Sequence, residues 1–184
     1  VAPFPGQFSV DVAAASGKAI VLALALLVLV IARDDFGRGA FSILLLSSLY
    51  GVCLLLSSDS FVTLFLGLEL MVLPGYMLAA YHKTDAYSTE GAIKYFLLGS
   101  FSSAIFLFGL SFVWGLSGST RVADVAAHIG AMVNGGAPFS PGLAMGLAFL
   151  TTGVAFKIAA VPFHYWTPDA YQGSPTPITG YLSV

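Results

Sequence analysis

Five apolar stretches constrain what this chain can fold into. They run at about 11–32, 40–58, 60–81, 91–116 and 141–161, and a sixth opens near Pro177. An α-helix needs about 20 apolar residues to cross a bilayer core, and each of the five is close to that length. Lipid offers no water to unpaired N–H and C=O groups, so a spanning segment is either a helix or a strand of a closed barrel. The alternation of a barrel strand is missing here. The expected fold is all-α, a polytopic membrane helix bundle. Composition agrees. Hydrophobic residues make up 58% of the chain and charged residues 9%, whereas an ordinary soluble domain is about a quarter charged. So few charges cannot solvate a globular surface.

Several function classes fall away on the same grounds. A net charge of −2 gives no basic field for nucleic acid. The single cysteine, Cys53, sits inside an apolar run and supports neither a disulfide framework nor a cysteine metal site. There is no G-x-G-x-x-G, no Walker A motif and no cysteine cluster for iron and sulfur. The chain opens on Val1 without Met or a cleavage pattern, and ITGYLSV stops inside an apolar run. The expectation is one transmembrane domain fragment, 1–184, of a longer protein.

Loop charge gives an orientation. RDDFGRG (33–39) carries Arg33 and Arg38, and HKTDAYSTE (82–90) carries Lys83. The turn near Asp59 has no cation, and the long loop at about 117–140 has only Arg121. The positive-inside rule then puts 33–39 and 82–90 in the cytoplasm and the N-terminal end outside. Small residues recur at helix-contact spacing, as Gly99 with Ser103 and Gly142 with Gly146. Such pairs permit close helix contacts in lipid, and they are also simply common in membrane helices.

Four ionisable residues stand in or near the spans: Lys18, Glu69, Lys94 and Lys157. A charge at membrane depth costs about 3 kcal/mol on insertion scales, and such residues usually face a protein interior or a wet cavity. Glu69, in FLGLELMVLPGY, lies mid-span with Pro74 five residues on. Proline has no N–H, so the Leu70 carbonyl loses its helical partner beside a buried carboxylate. Lys157 repeats the arrangement with Pro162, and VPFHYWTPDAYQGSPTP (161–177) carries four prolines. That run predicts a broken helix near 157–170, continuing at about 163–175, which is tolerated only where protein or water covers the backbone. The plain alternative for both residues is a charge satisfied by packing or by snorkelling to the interface. Lys94 is close to a span end, so snorkelling and an interior role both stay open, and Lys18 reads as a snorkelling lysine. His164 is either a proton relay or a packed histidine. Asp169, after Pro168, reads foremost as a helix cap. A carboxylate and an amine in one apolar site suit proton movement. Burial favours the neutral form of each, an opposite charge favours the ionised form, and a change in their separation shifts the balance.

Three runs resemble a known family: GLELMVLPGYMLAA, EGAIKYFLLGSFSSAIFLFGLS and GVAFKIAAVPFHYWTPDAYQGSPTPITGYLS. They are similar to the antiporter-like membrane subunits of respiratory complex I, over about residues 40–184. The tail FHYWTPDAYQGSPTP resembles the N branch, counterpart of mitochondrial subunit 2, more than the L and M branches, which usually read more like FHTWLPDAH. The resemblance implies an antiporter-like fold of about fourteen helices in two inverted repeats, of which this chain covers roughly helices three to eight. It implies that Glu69, Lys94 and Lys157 match the family's proton-handling glutamate and lysines on its fifth, sixth and broken seventh helices; His164, read as a relay from its own chemistry, would extend that path. Further lysines of that path are expected beyond Val184.

The implied function is a proton-translocating subunit of NADH:quinone oxidoreductase in a bacterial inner membrane. It would hold no cofactor of its own, while FMN, iron–sulfur clusters and quinone belong to the whole complex. Its implied partners are other membrane subunits of complex I and lipids, with no nucleic acid. The alternative is a subunit of a stand-alone cation/proton antiporter of the same family, which the TPDAYQGSP run disfavours. A membrane scaffold whose buried charges only fix helix register is the third reading.

Overall fold

A computed structural model describes residues 4–33, 39–136, 138 and 140–183. Most of the loop 33–39, with Arg38, lies outside the described residues. Among the described residues the architecture is all-helical, with isolated β-bridges only. Helices α1 (Val12–Ala32), α2 (Ala40–Leu55), α3 (Phe61–Ala79) and α4 (Ala86–Ser117) come first. They are followed by α5 (Val122–Asn134), α6 (Pro141–Lys157), α7 (Trp166–Gly173) and α8 (Thr176–Leu182).

Side-chain caps set three of the starts. Asp11 accepts from Ala14 N at 2.7 Å to cap α1. Ser60 and Thr63 form a reciprocal capping box on α3. Asp85 accepts from Tyr87 N at 2.8 Å, so α4 begins at Ala86 rather than near residue 91. Its first turn, AYSTE, is too polar to be seen as part of an apolar run.

Two boundaries differ further from expectation. The 117–140 region is not a plain loop, because it holds the 13-residue helix α5 with Val125 buried. In addition, α6 stops at Lys157, not near 161, and the second half of the broken passage is helical only from Trp166. Among the described residues, α1, α3 and α4 are long and apolar enough to cross a membrane. At 16 and 17 residues, α2 and α6 reach only about 24–26 Å, short of a core about 30 Å thick.

One end of the bundle is fastened by main-chain bonds between three connections. Ser9 N donates to Ser57 O, Asp59 N to Gln7 O, Phe61 N to Thr120 O and Val122 N to Asp59 O, all at 2.8–3.1 Å. Thr63 Oγ1 adds a bond to Gln7 O. These bonds put the N-terminal segment, the α2–α3 turn and the α4–α5 turn together, opposite the ends of α1 and α3.

The long helix α4, about 48 Å at 1.5 Å per residue for its 32 residues, serves as a rail for the broken helix. On its later half, Gly109 lets the α6 backbone approach so closely that a Cβ there would sit 2.7 Å from Gly146 O and Leu150 N. On its early half, Gly91 lies against the Asp169 carbonyl of α7. The α6–α7 passage therefore follows a single surface even though its own helix is interrupted. The buried core between these elements centres on Tyr76, Tyr95, Phe156 and Trp166.

Candidate functional site

The interruption falls immediately after Lys157. Ile158 caps α6, and Ala159 adopts a left-handed φ of 53°, which costs a non-glycine residue about 1–2 kcal/mol. Ala160 N reaches back to Ala155 O at 2.8 Å. A helix end inside an apolar bundle leaves carbonyls without partners. The Phe156 carbonyl is doubly served, by Ala159 N at 3.1 Å and by the Trp166 indole N–H at 3.0 Å. The same ring stacks on Tyr95, with centroids 4.4 Å apart and planes 12° from parallel. Trp166 thus fixes the break in place, a role that nothing in the tryptophan's sequence context signals.

Three helices then converge on one cluster. Lys157 Nζ, at the end of α6, donates to Ser103 Oγ of α4 at 3.1 Å. Ser103 Oγ donates to Glu69 Oε1 of α3 at 2.5 Å. Lys157 Nζ and Glu69 Oε1 are themselves 3.8 Å apart, with side chains 7% and 23% exposed. The carboxylate and ammonium share a poorly solvated site, where an opposite charge matters far more than in water. Lys157 also borders a mostly apolar cavity of about 570 Å³, lined further by Ser48, Met71, Tyr95 and Tyr181.

Of the four residues singled out in the sequence, the structure brings Glu69 and Lys157 together. Lys94 is elsewhere. It forms ion pairs with Glu90 at 2.7 Å and Asp169 at 2.9 Å, at the charged early end of α4, and its side chain is 42% exposed. Among the described residues, Glu69 and Lys94 make no ion pair. Asp169 is in the first turn of α7 but is not its cap, which is Tyr165. Its carboxylate faces Lys94, so the capping expectation gives way to an inter-helix pair. His164 lies in the irregular stretch before α7, stacked on Tyr165, with Nδ1 buried and unpartnered. The Tyr76 hydroxyl is likewise buried without a partner, against Gly99. Ser103 belongs to the cluster but registered in the sequence only as a small residue at contact spacing.

The model of the "NADH:quinone oxidoreductase/Mrp antiporter, TM" family matches residues 58–184. The chain belongs to this family. Glu69, Lys94, Ser103, Lys157 and His164 all lie inside the matched antiporter-family region. NADH-quinone oxidoreductase subunit N of Moorella thermoacetica is 48% identical over 83% of this chain and 31% of its own length. The subunit N of Rhodospirillum rubrum is 40% identical over 98% of this chain and 37% of its own. Among solved structures, respiratory complex I from Thermus thermophilus with bound Aureothin matches at a TM-score of 0.79 and 34% identity. That match covers 96% of this chain and 39% of the matched one. This family member therefore spans less than two-fifths of the length of these relatives. An antiporter-family fold and a multi-pass membrane protein follow from these likenesses.

Proposed function

We propose that the chain is part of a proton-translocating membrane subunit of an NADH:quinone oxidoreductase. The observation that carries the reading is the Glu69–Ser103–Lys157 cluster, set at a helix break in a chain that resembles subunit N over nearly its whole length. The charges are close enough to stabilise each other. They are also joined through a single hydroxyl beside a broken backbone, so a small displacement of the end of α6 changes their separation. That change alters how strongly each group holds its proton. Electron transfer occurs on other subunits of the complex, which carry FMN, iron–sulfur clusters and quinone, and reaches this site only as a mechanical or electrostatic bias. Lys157 is the central carrier and Glu69 tunes it. Lys94 handles protons at the charged early end of α4, and His164 extends the route past the break.

The chain lies in a bacterial inner membrane among the other membrane subunits of the complex and lipid. The end gathering residues 4–10, 56–60 and 118–122 faces outward. Arg33 and Lys83, on the connections at the opposite end, support that orientation.

The test is Lys157→Ala in the full-length subunit, with NADH-driven proton pumping and NADH:quinone turnover measured in inverted membrane vesicles. Both are expected to fall together. If both stay at wild-type level, Lys157 is a packing lysine and the reading is wrong at its centre. Because the matched family includes Mrp antiporters, sodium-driven pH changes in vesicles without NADH would favour the stand-alone antiporter instead.

A further inference from the structure

We infer that the Ser103 hydroxyl is the proton bridge between Lys157 and Glu69, an inference that rests on the function proposed above. Distance decides it. The direct separation of Nζ and Oε1, 3.8 Å, is beyond hydrogen-bond range, so no proton passes straight across. Each half of the route through Ser103 is within range, at 3.1 Å and 2.5 Å. The serine is 7% exposed, which keeps bulk water from competing easily for either bond.

The hydroxyl also has somewhere else to point. Ser103 Oγ lies 3.1 Å from Gly99 O, the backbone acceptor one turn earlier. A serine in a membrane helix needs only that bond to be satisfied. Here one hydroxyl hydrogen has two acceptors, the Gly99 carbonyl and the Glu69 carboxylate, while an oxygen lone pair receives Lys157. With a single hydrogen on Oγ, only one of the two acceptors is served at a time.

The transfer balances without any further reactant. One Nζ–H bond of Lys157 breaks as a new Oγ–H bond forms on Ser103. The original Oγ–H bond breaks as Oε1–H forms on Glu69. Lys157 becomes a neutral amine, Glu69 a neutral acid, and Ser103 is again a hydroxyl, with its hydrogen now on the lysine side. To repeat, the hydroxyl must turn, and the Gly99 carbonyl is the resting acceptor during the turn.

The test compares Ser103→Ala, Ser103→Thr and Lys157→Ala in the full-length subunit, in vesicles that contain wild-type amounts of assembled complex. Coupled NADH:quinone turnover and pumping are read in H₂O and D₂O. Loss of a positioned proton-transfer group predicts a fall of about 100-fold or more in Ser103→Ala. Most of the activity should return in Ser103→Thr, which keeps the hydroxyl, together with a solvent isotope effect that Ser103→Ala lacks. Wild-type pumping in Ser103→Ala, with pumping lost in Lys157→Ala, overturns the bridge and leaves the proposed function standing. Ser103→Thr as inactive as Ser103→Ala also overturns it, because shape rather than the hydroxyl would then matter. If Lys157→Ala itself is silent, the proposed function fails and the bridge fails with it.

Discussion

Lys94 and Lys157 are the same residue type in neighbouring helices, yet their surroundings are opposite. Lys94 has two carboxylates within 2.9 Å, and its side chain is 42% exposed. Lys157 has one carboxylate, held off at 3.8 Å behind a hydroxyl, and its side chain is 7% exposed. Exposed pairs are screened and replaceable, since water and salt take over when one partner goes. A buried charge has no such substitute, so its partner's position governs its protonation. The lysine with more partners is therefore the one whose pairs are the more easily replaced by water and salt. The first ties α4 to α7; the second sits at the end of α6, immediately before a backbone break.

Breaking the buried side of this contrast should give the largest effect. Glu69→Gln leaves the Lys157 ammonium without its counter-charge. That costs about 3–5 kcal/mol where burial is complete and less at a partly exposed carboxylate. Proton pumping per NADH oxidised should drop clearly, measured in the same vesicles, and an unchanged ratio would show that the pair is structural. Gly109→Leu comes next. It inserts a side chain where a Cβ alone meets α6 backbone at 2.7 Å, and overpacking of this kind costs about 1–3 kcal/mol or more. The amount of subunit retained in the membrane and the Tm of the purified complex should both fall.

Trp166→Phe removes the indole N–H that donates to the Phe156 carbonyl, which keeps its bond from Ala159 N, so the cost is that of one hydrogen bond, about 0.5–1.5 kcal/mol. Thermal stability should fall by less than in Gly109→Leu, with coupling impaired because the end of α6 loosens. Lys94→Gln should change stability least, and the change should shrink as salt is raised. If a melting series at low and high salt shows Lys94→Gln matching Trp166→Phe, the two lysines are not as different as their exposure implies.

How much of this was legible beforehand follows from what each feature depends on. The main spans were readable because a bilayer requires long apolar runs, and Glu69 and Lys157 because a charge inside such a run is conspicuous. Ser103 was not, since serine is ordinary in a membrane helix and its importance comes entirely from which side chains arrive beside it. Lys94 was visible, but its pairing with Asp169 depends on where the broken helix lands along α4. The start of α4 and the whole of α5 were missed for a different reason. AYSTE and VADVAAHIGAMVN are helical through capping and partial burial, with little of the continuous apolarity that betrays a span. Trp166 shows the same limit, because its hydrogen bond exists only once α6 has ended.

The main-chain bonds among residues 7–9, 57–61 and 118–122 bear on how the molecule tolerates added sequence. Each of those connections is held in register by another, so one extra residue in any of them would displace the partners of the other two. Lys83 and Thr84, at the opposite end, are exposed and outside that mutual register. A short epitope inserted between them should leave the bundle intact, whereas the same epitope between Ser58 and Asp59 should not. Antibody or protease access to the tolerated epitope would then report directly which face of the membrane that end occupies.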